Sequence, residues 1–278
     1  MGIRFVPVGR IVANGMLRTN TPLENYAKEY GLWVKREDLA CVPPGPPFSK
    51  TRGVYARILT RPEKLIGALD TYHSQAGHAV ARACQILGKQ SIDYYPEYKH
   101  EPGPRKPQLR AQALGATIHE LTAGRSAILF HQARKHCESL GGYMMPNALK
   151  LEESVEETAK EVPVGYVFNR VIIPSSSATI AAGVIKGFIE KYAESDWPEF
   201  IIHLGYSRSH DEVLRYVREK TGCASLRVTI VDEKYSYKDK ARPGETPPWP
   251  CNEYYDLKAF RWWLSNRQSG RTLLWNIG

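Results

Sequence analysis

A lysine between a stiff loop and a helical pattern is the residue of this sequence best placed for covalent chemistry. Lys50 follows the run Val-Pro-Pro-Gly-Pro-Pro at positions 42–47, and a helical pattern begins at Gly53. Because proline fixes its backbone φ angle, such a loop holds the residues after it in a defined place. A deprotonated lysine amine held there is a nucleophile. The alternative is a solvated lysine in the first turn of a helix, since long charged side chains are mostly exposed.

Two polar turns each follow a predicted strand and precede a predicted helix. The first polar turn contains His73, Ser74 and Gln75. The second, the serine-rich turn, consists of Ser175, Ser176, Ser177, Ala178 and Thr179. In open α/β sheets ligands bind where strands end and helices begin, and hydroxyls with free N–H groups at a helix start suit a phosphate or a carboxylate. Helix capping alone also explains serine in such turns.

Composition favours a globular enzyme with a basic surface. The 278 residues are 42% hydrophobic and 24% charged, with a net charge of +9 and a pI near 9.2. No apolar run approaches the ~20 residues of a membrane span, and residues 1–15 lack the pattern of a signal peptide. Five widely spaced cysteines without a C-x-x-C pair predict neither a disulfide framework nor a metal site. These observations predict a cytoplasmic protein without a membrane partner.

Strands and helices alternate along most of the chain, which predicts βαβ units and mostly parallel sheets. Strands are predicted at residues 32–35, 65–69, 91–95, 116–121, 167–173, 200–204, 226–231 and 273–275. Helices are predicted at residues 25–30, 53–59, 78–87, 108–114, 126–140, 152–160, 179–192 and 211–221. Residues 236–252, rich in proline and charge, predict a long loop.

The ordered set of motifs resembles the fold type II, tryptophan-synthase-β-like pyridoxal-phosphate (PLP) enzymes, nearest the group of 1-aminocyclopropane-1-carboxylate (ACC) deaminase and D-cysteine desulfhydrase. The matching segments are Thr21-Pro22-Leu23, Lys35-Arg36-Glu37-Asp38-Leu39, Ser49-Lys50-Thr51-Arg52, His73-Ser74-Gln75, residues 175–179 and Tyr255-Asp256-Leu257-Lys258-Ala259. The resemblance implies two α/β domains, each a mostly parallel open sheet flanked by helices. A small domain of residues 54–155 would be inserted into a large one of residues 1–53 and 156–278, with PLP in the cleft and a homodimer as the assembly.

The resemblance also implies roles for the first half of the site. Lys50 occupies the position of the lysine that forms a Schiff base with PLP, and it would act as acid or base at the substrate's α carbon once released. Ser74 matches a serine that holds the substrate carboxylate, and Gln75 matches an asparagine beside the cofactor's 3-hydroxyl group. Tyr72 and His73, next to them, are expected to contact the substrate.

Further roles implied by the resemblance fall in the second half of the chain. The serine-rich turn matches the family's glycine-rich phosphate cup, with three glycines replaced by serine or alanine, so left-handed backbone angles cost more here. Tyr255 and Asp256 match a tyrosine–acid pair. The acid is expected to face the pyridine nitrogen, and Tyr255 is a second acid/base or ring-stacking candidate. The alternative for Tyr255 is a buried tyrosine in a core helix.

Three hypotheses for function follow. The first is a PLP-dependent lyase or deaminase acting at the α carbon of a small, free amino acid. The second is a PLP enzyme acting on an amino-acid group attached to a nucleic-acid base, as in modified viral DNA, by decarboxylation or elimination. It rests on a basic surplus interleaved with the aromatic residues Tyr235, Tyr237 and Trp249. The basic residues are Lys99, Arg105, Lys106, Arg110, Arg208, Arg215, Arg218, Lys234, Lys238, Lys240 and Arg242. The third is a binding protein that has lost the cofactor.

Overall fold

The computed structural model describes residues 11–12, 16–98, 102–122 and 124–278. Residues 1–10 and 13–15, and with them most of the segment tested for a signal peptide, lie outside the described residues, as does Lys99. Strands are numbered β1–β12 in chain order. They are Ile11–Val12, Leu17–Arg18, Leu23–Tyr26, Leu32–Arg36, Leu65–Leu69, Gln90–Pro96, Thr117–Leu121, Tyr143–Met144, Arg170–Ser175, Glu199–Leu204, Val228–Val231 and Thr272–Asn276.

Helices are numbered α1–α9 in the same way. They are Ala27–Tyr30, Thr51–Leu59, Ala76–Leu87, Lys106–Ala113, Ser126–Ser139, Glu152–Lys160, Thr179–Lys191, His210–Thr221 and Asp256–Ser265. The long loop predicted between β11 and α9 carries no regular element. Across the described ranges, no helix is both long enough and apolar enough to span a bilayer. The same ranges hold no group of three or more His, Cys, Asp or Glu side chains arranged to bind a metal ion.

The larger sheet has six strands in the order β11-β10-β9-β12-β4-β3, and only β3 runs antiparallel to its neighbour. Successive side chains of a strand point to opposite faces. Val171, Ile173 and Leu273 therefore pack against helices α6, α7 and α8 on one face. Ile172 and Leu274 pack against α9 on the other. Two covered faces explain the continuous apolar runs of these strands.

The smaller sheet has four parallel strands in the order β7-β6-β5-β8. Its core on one side is formed with α2 and α3, through residues such as Val54 and Ala79. On the other side Leu129 and Ala133 of α5 pack against it. The two flanked parallel sheets confirm the predicted α/β fold. All four strands lie between residues 65 and 144, while the exact domain boundaries at 54 and 155 stay a prediction.

The structure corrects several predicted elements. The helix predicted at residues 25–30 begins only at Ala27, because Leu23–Tyr26 forms strand β3 and pairs antiparallel with β4. Gly31 ends the short helix in a left-handed conformation, φ 69°, which lets the chain reverse into β4. Strand β9 begins at Arg170 and extends through Ser175, so it includes the first residue of the serine-rich turn. The two-residue strand β8 and helix α9 were not predicted.

A buried ionic network fixes the start of α2 just after Lys50. The Arg52 guanidinium forms a close ion pair with Glu37, at the end of β4, and lies 3.9 Å from a carboxylate oxygen of Glu161. Glu161 also accepts from the Lys35 amine at 3.0 Å. All four side chains are at most 4% exposed. Because breaking one partner would leave a buried charge unpaired, the network holds this segment firmly.

Candidate active site

The strand ends of the two sheets face a single cavity of about 720 Å³. Eleven of the twelve predicted site residues line it: Lys50, Tyr72, His73, Ser74, Gln75, Ser175, Ser176, Ser177, Ala178, Thr179 and Tyr255. The first polar turn follows β5 of the smaller sheet, and the serine-rich turn follows β9 of the larger one. The structure therefore brings the two turns and the lysine together between the sheets. Asp256 is the exception and does not line the cavity.

Lys50 is buried, with 7% of its surface exposed. Its Nζ donates to the carbonyl oxygen of Ala148 at 2.7 Å and to the Ser177 hydroxyl at 2.8 Å. Burial and then the nearby charge of Lys150 lower the pKa of the Lys50 amine to about 7. Lys50 is thus not the exposed helix lysine of the alternative interpretation. A large fraction of it is neutral at physiological pH, as a nucleophilic amine requires.

The serine-rich turn presents hydrogen-bonding groups at the start of helix α7. Ala178 adopts a left-handed conformation, φ 65°, directly before the helix. This is the backbone geometry that costs an alanine more than a glycine. The Ser177 and Thr179 hydroxyl oxygens lie 3.0 Å apart. The Ser175 hydroxyl is 3% exposed and has no hydrogen-bond partner among the described residues. Free N–H groups, the helix dipole and an unsatisfied hydroxyl together can hold a phosphate.

The first polar turn faces the serine-rich turn across the cavity. Ser74 accepts a hydrogen bond from the N–H of Ala76 at 3.2 Å, at the start of α3. Gln75, the next residue, lines the cavity with Ser74. Tyr72 has a positive φ of 27°, and its N–H donates to the Tyr98 hydroxyl. A serine hydroxyl and a neighbouring amide at a helix start can bind a carboxylate or a ring hydroxyl.

His73 and Tyr255 form a hydrogen-bonded pair inside the cavity. The His73 Nε2 atom lies 3.0 Å from the Tyr255 hydroxyl oxygen. The imidazole stacks on Tyr254, with ring centroids 3.8 Å apart, and lies 4.5 Å from the ring of Tyr237. Burial, then the charge of Lys258, lowers the pKa of His73 to about 4. Burial raises the pKa of Tyr255 well above its ordinary value. The pair therefore consists of a neutral imidazole and a neutral phenol at physiological pH.

Asp256 supports the end of the chain instead of the cavity. Its two carboxylate oxygens accept the N–H groups of Ile277 at 2.8 Å and Gly278 at 3.0 Å. The residue is fully buried, and burial raises the pKa of its carboxyl group to about 7. Both oxygens accept backbone N–H groups of residues that themselves line the cavity, and the expected contact of this carboxylate with a pyridine nitrogen stays a prediction. Tyr255 precedes α9 and is not a core-helix tyrosine.

Some cavity residues were not predicted as site residues. Tyr98, Lys150 and Tyr206 line the cavity, as do Arg208, Tyr237 and Lys238, which the sequence offered only as part of a basic surface. They lie on loops that no motif marks. The expected base-stacking role fails for two other aromatic residues. Trp249 and Tyr235 are 2% and 7% exposed and pack inside the protein.

Solved structures with the same fold are PLP enzymes. The chain superposes on a homologue of ACC deaminase with a TM-score of 0.74 and 16% identity, covering 98% of this chain and 91% of that one. It superposes on the diaminopropionate ammonia lyase of Escherichia coli with a TM-score of 0.66 and 14% identity, covering 93% and 83%. The threonine deaminase isoform 2 of Solanum lycopersicum gives a TM-score of 0.63 and 13% identity, covering 100% and 95%. These similarities show the fold.

No protein-family model matches the chain. The chain is 46% identical to the glycyl-dTMP PLP-dependent decarboxylase of Pseudomonas phage M6, over 95% of its own length and 100% of the phage protein. Identity at this level over whole chains shows that the two proteins belong to one family. The hypothesis of a relative without the cofactor is not supported. The chain belongs to the family of this phage decarboxylase and is a PLP-dependent enzyme of fold type II.

Proposed function

We propose that the chain removes the carboxyl group from a glycyl substituent on a thymine nucleotide. The observation that carries this proposal is the 46% identity to the phage glycyl-dTMP decarboxylase along that protein's full length. This is the second of the three sequence hypotheses, with decarboxylation as the reaction. In it, the bond between the α carbon and the carboxylate breaks, CO₂ leaves, and a proton takes its place on the α carbon.

The cavity has the donor set that PLP requires. Lys50 supplies a buried amine of lowered pKa, and the serine-rich turn supplies hydroxyls, including the unpartnered one of Ser175, at the start of α7. Gln75, from the first polar turn, supplies an amide to the cavity lining. PLP held by these groups supplies an electron sink for the carbon that loses its carboxylate.

Protein side chains then have defined tasks in the reaction. Ser74 orients the amino-acid end of the substrate from the start of α3. Lys50, whose pKa of about 7 lets it hold or release a proton, delivers the proton to the α carbon. Tyr255 remains protonated and is held at the cavity by its hydrogen bond with His73. With the His73 proton on Nε2, the phenol accepts that bond and keeps its own proton for the substrate.

The cavity mouth suits the nucleotide part of the substrate. Tyr72 and Tyr98 lie there with ring centroids 5.8 Å apart. The Lys238 Nζ lies 4.9 Å from the Tyr72 centroid, and the Arg105 guanidinium carbon lies 4.8 Å from the Tyr98 centroid. Aromatic faces stack on bases, and cations attract phosphate. This combination supports a nucleotide substrate over a free amino acid.

The test compares three substrates with the purified, PLP-loaded enzyme: an oligonucleotide with a glycyl-thymine base, the corresponding glycyl-dTMP, and free glycine. Released CO₂ and ammonia are both measured. We expect CO₂ from one or both nucleotide substrates, none from glycine, and none with Lys50→Ala. Ammonia in place of CO₂ would reject decarboxylation in favour of the deaminase hypothesis. Turnover of glycine alone would reject the nucleotide substrate.

A further inference from the structure

Two cationic side chains lie beside the serine-rich turn without an acidic partner. Lys150 and Arg208 both line the cavity. Lys150 is exposed and Arg208 is half-buried, and neither forms an ion pair within the described part of the chain. Uncompensated like charges at one place are unfavourable unless an anion joins them.

The Arg208 guanidinium contacts the serine-rich turn. Its Nη1 donates to the carbonyl oxygen of Ser176, in the middle of that turn. Its Nε atom is buried and has no hydrogen-bond partner among the described residues. The guanidinium therefore supports the turn and keeps a donor group free at the same place. A planar guanidinium can bind a phosphate with its remaining N–H groups.

Lys150 approaches the same place from the opposite loop. Its Nζ lies 5.0 Å from the ring centroid of Tyr216 in α8, and the Tyr216 hydroxyl is buried without a partner among the described residues. Partial desolvation of the amine and then the charge of Arg208 lower the pKa of Lys150, while Glu212 and Glu219 act more weakly in the other direction. The lysine and arginine charges therefore act on each other.

We infer that Lys150 and Arg208 bind the 5′-phosphate of PLP together with the serine-rich turn. This inference rests on the proposed placement of that phosphate in the turn. Alanine and serine replace the glycines expected in such a cup, so the backbone adapts less easily to a phosphate. Charge-assisted hydrogen bonds from two cations would restore affinity for the phosphate. The cations Lys238 and Arg105 lie elsewhere, over the rings of Tyr72 and Tyr98.

The test measures dissociation constants of the apoenzyme for PLP and for pyridoxal, which lacks the phosphate. Lys150→Ala should weaken PLP binding about tenfold and change pyridoxal binding less than about twofold, since a hydrogen bond to a charged group is lost only with the phosphate. Lys150→Arg should restore most of the loss. The control is Lys135→Ala, which removes an exposed lysine of α5 that does not line the cavity.

A second readout follows the phosphate itself. The ³¹P resonance of bound PLP, titrated with pH, should show the dianion persisting to lower pH in the wild type than in Lys150→Ala. Arg208→Lys keeps the positive charge but removes the planar, bidentate guanidinium. It should weaken binding of PLP more than binding of pyridoxal, and it should disturb the serine-rich turn less than alanine would.

Four outcomes would overturn the inference or its premise. Unchanged PLP binding in Lys150→Ala rejects it. An equal weakening of PLP and pyridoxal indicates a structural role and rejects it. A raised KM for the nucleotide substrate with unchanged PLP binding assigns the cations to the substrate's phosphate and also rejects it. If Ser175→Ala and Ser177→Ala leave the preference for PLP over pyridoxal unchanged, the placement of the phosphate in the turn fails instead.

Discussion

The amine of Lys50 lies 2.8 Å from the hydroxyl of Ser177, although the two residues are 127 positions apart in the chain. Lys50 directly precedes α2, Ser177 lies two residues before α7, and both residues line the cavity. The second hydrogen bond of the amine, to the Ala148 carbonyl, fixes its direction. The fold thus joins the nucleophile to the serine-rich turn directly.

Lys50→Ala should abolish covalent attachment of PLP. Borohydride reduction of the PLP-loaded wild type, followed by peptide mapping, should place the label on Lys50, and the visible absorbance band should be lost in the variant. Lys258→Ala is the matched control. Lys258 is also buried with a lowered pKa, about 8, but its amine donates to the Gly205 carbonyl outside the cavity lining. A label on Lys258 would contradict the assignment.

The pKa of Lys50 predicts a pH dependence of stability. The folded-state pKa of about 7 lies below the ordinary 10.5, so the unfolded chain binds more protons between these values. The stability of the apoprotein should therefore rise with pH from about 7 towards 10.5, relative to Lys50→Met, which has no such proton. Denaturant unfolding of both proteins at several pH values measures the difference. If the difference in unfolding free energy between the two proteins did not change with pH, the pKa of the Lys50 amine would not be shifted in the folded protein.

Asp256→Ala should destabilise the protein by about 1–3 kcal/mol, because the N–H groups of Ile277 and Gly278 lose their acceptor. Asp256→Asn keeps one acceptor and should cost less. The folded-state pKa of about 7 is raised from 3.8, so the wild type should lose stability relative to Asp256→Asn as the pH rises from 3.8 to about 7, with little further change above. The absorbance of bound PLP should be the same in Asp256→Asn. A shifted band would instead support contact with the pyridine nitrogen.

Tyr255→Phe should lower kcat for decarboxylation about 100-fold and change KM little, because it removes the protonated phenol that lines the cavity and is hydrogen-bonded with His73. Tyr254→Phe is the control, since its ring stacks on His73 and that stacking survives loss of the hydroxyl. His73, with a pKa near 4, should give no inflection in the rate between pH 6 and pH 7. If Tyr255→Phe and Tyr254→Phe lowered kcat equally, the Tyr255 hydroxyl would have no specific role in the reaction.

Lys238→Ala should weaken binding of the glycyl-thymine oligonucleotide and lower the slope of log affinity against log salt by about 1. The reason is its place over the Tyr72 ring at the mouth. Lys234→Ala removes a charge from the same loop, but that lysine already pairs with Asp232 at 2.8 Å and does not line the cavity. It should leave the slope unchanged. If both variants showed the same slope of log affinity against log salt concentration, the nucleotide would not bind next to Lys238.

Sequence reasoning reached the residues that are marked by local patterns. Lys50 after its proline-rich loop, Ser74 and Gln75 before an alanine-rich helix, and the serine-rich turn before α7 all have such patterns, and all line the cavity. Strand periodicity similarly identified most elements of both sheets, because continuous apolar runs reflect burial on two faces.

Other features depend on tertiary contacts that no local pattern records. Lys150 and Tyr98 reach the cavity from loops, so only the folded chain shows their position. Asp256 sits next to Tyr255 in sequence, yet its carboxylate turns to the backbone of the last residues. Strand β3 exists because β4 offers it a partner, and its own four residues lack a clear alternation.

The anchoring of the segment around Lys50 has a mechanical consequence. The Ser49 N–H donates to the carbonyl of Ile277 at 3.0 Å, directly after β12, and Arg52 is paired with Glu37 after β4. Lys50 is therefore attached to the larger sheet, together with the serine-rich turn, whereas the first polar turn belongs to the smaller sheet. The Lys50 amine, however, also donates to the carbonyl of Ala148, which follows β8 of the smaller sheet. A movement of the smaller sheet towards the larger one would therefore act on the first polar turn and on one of the two hydrogen bonds of the amine, while the hydrogen bond to Ser177 is anchored on the larger sheet.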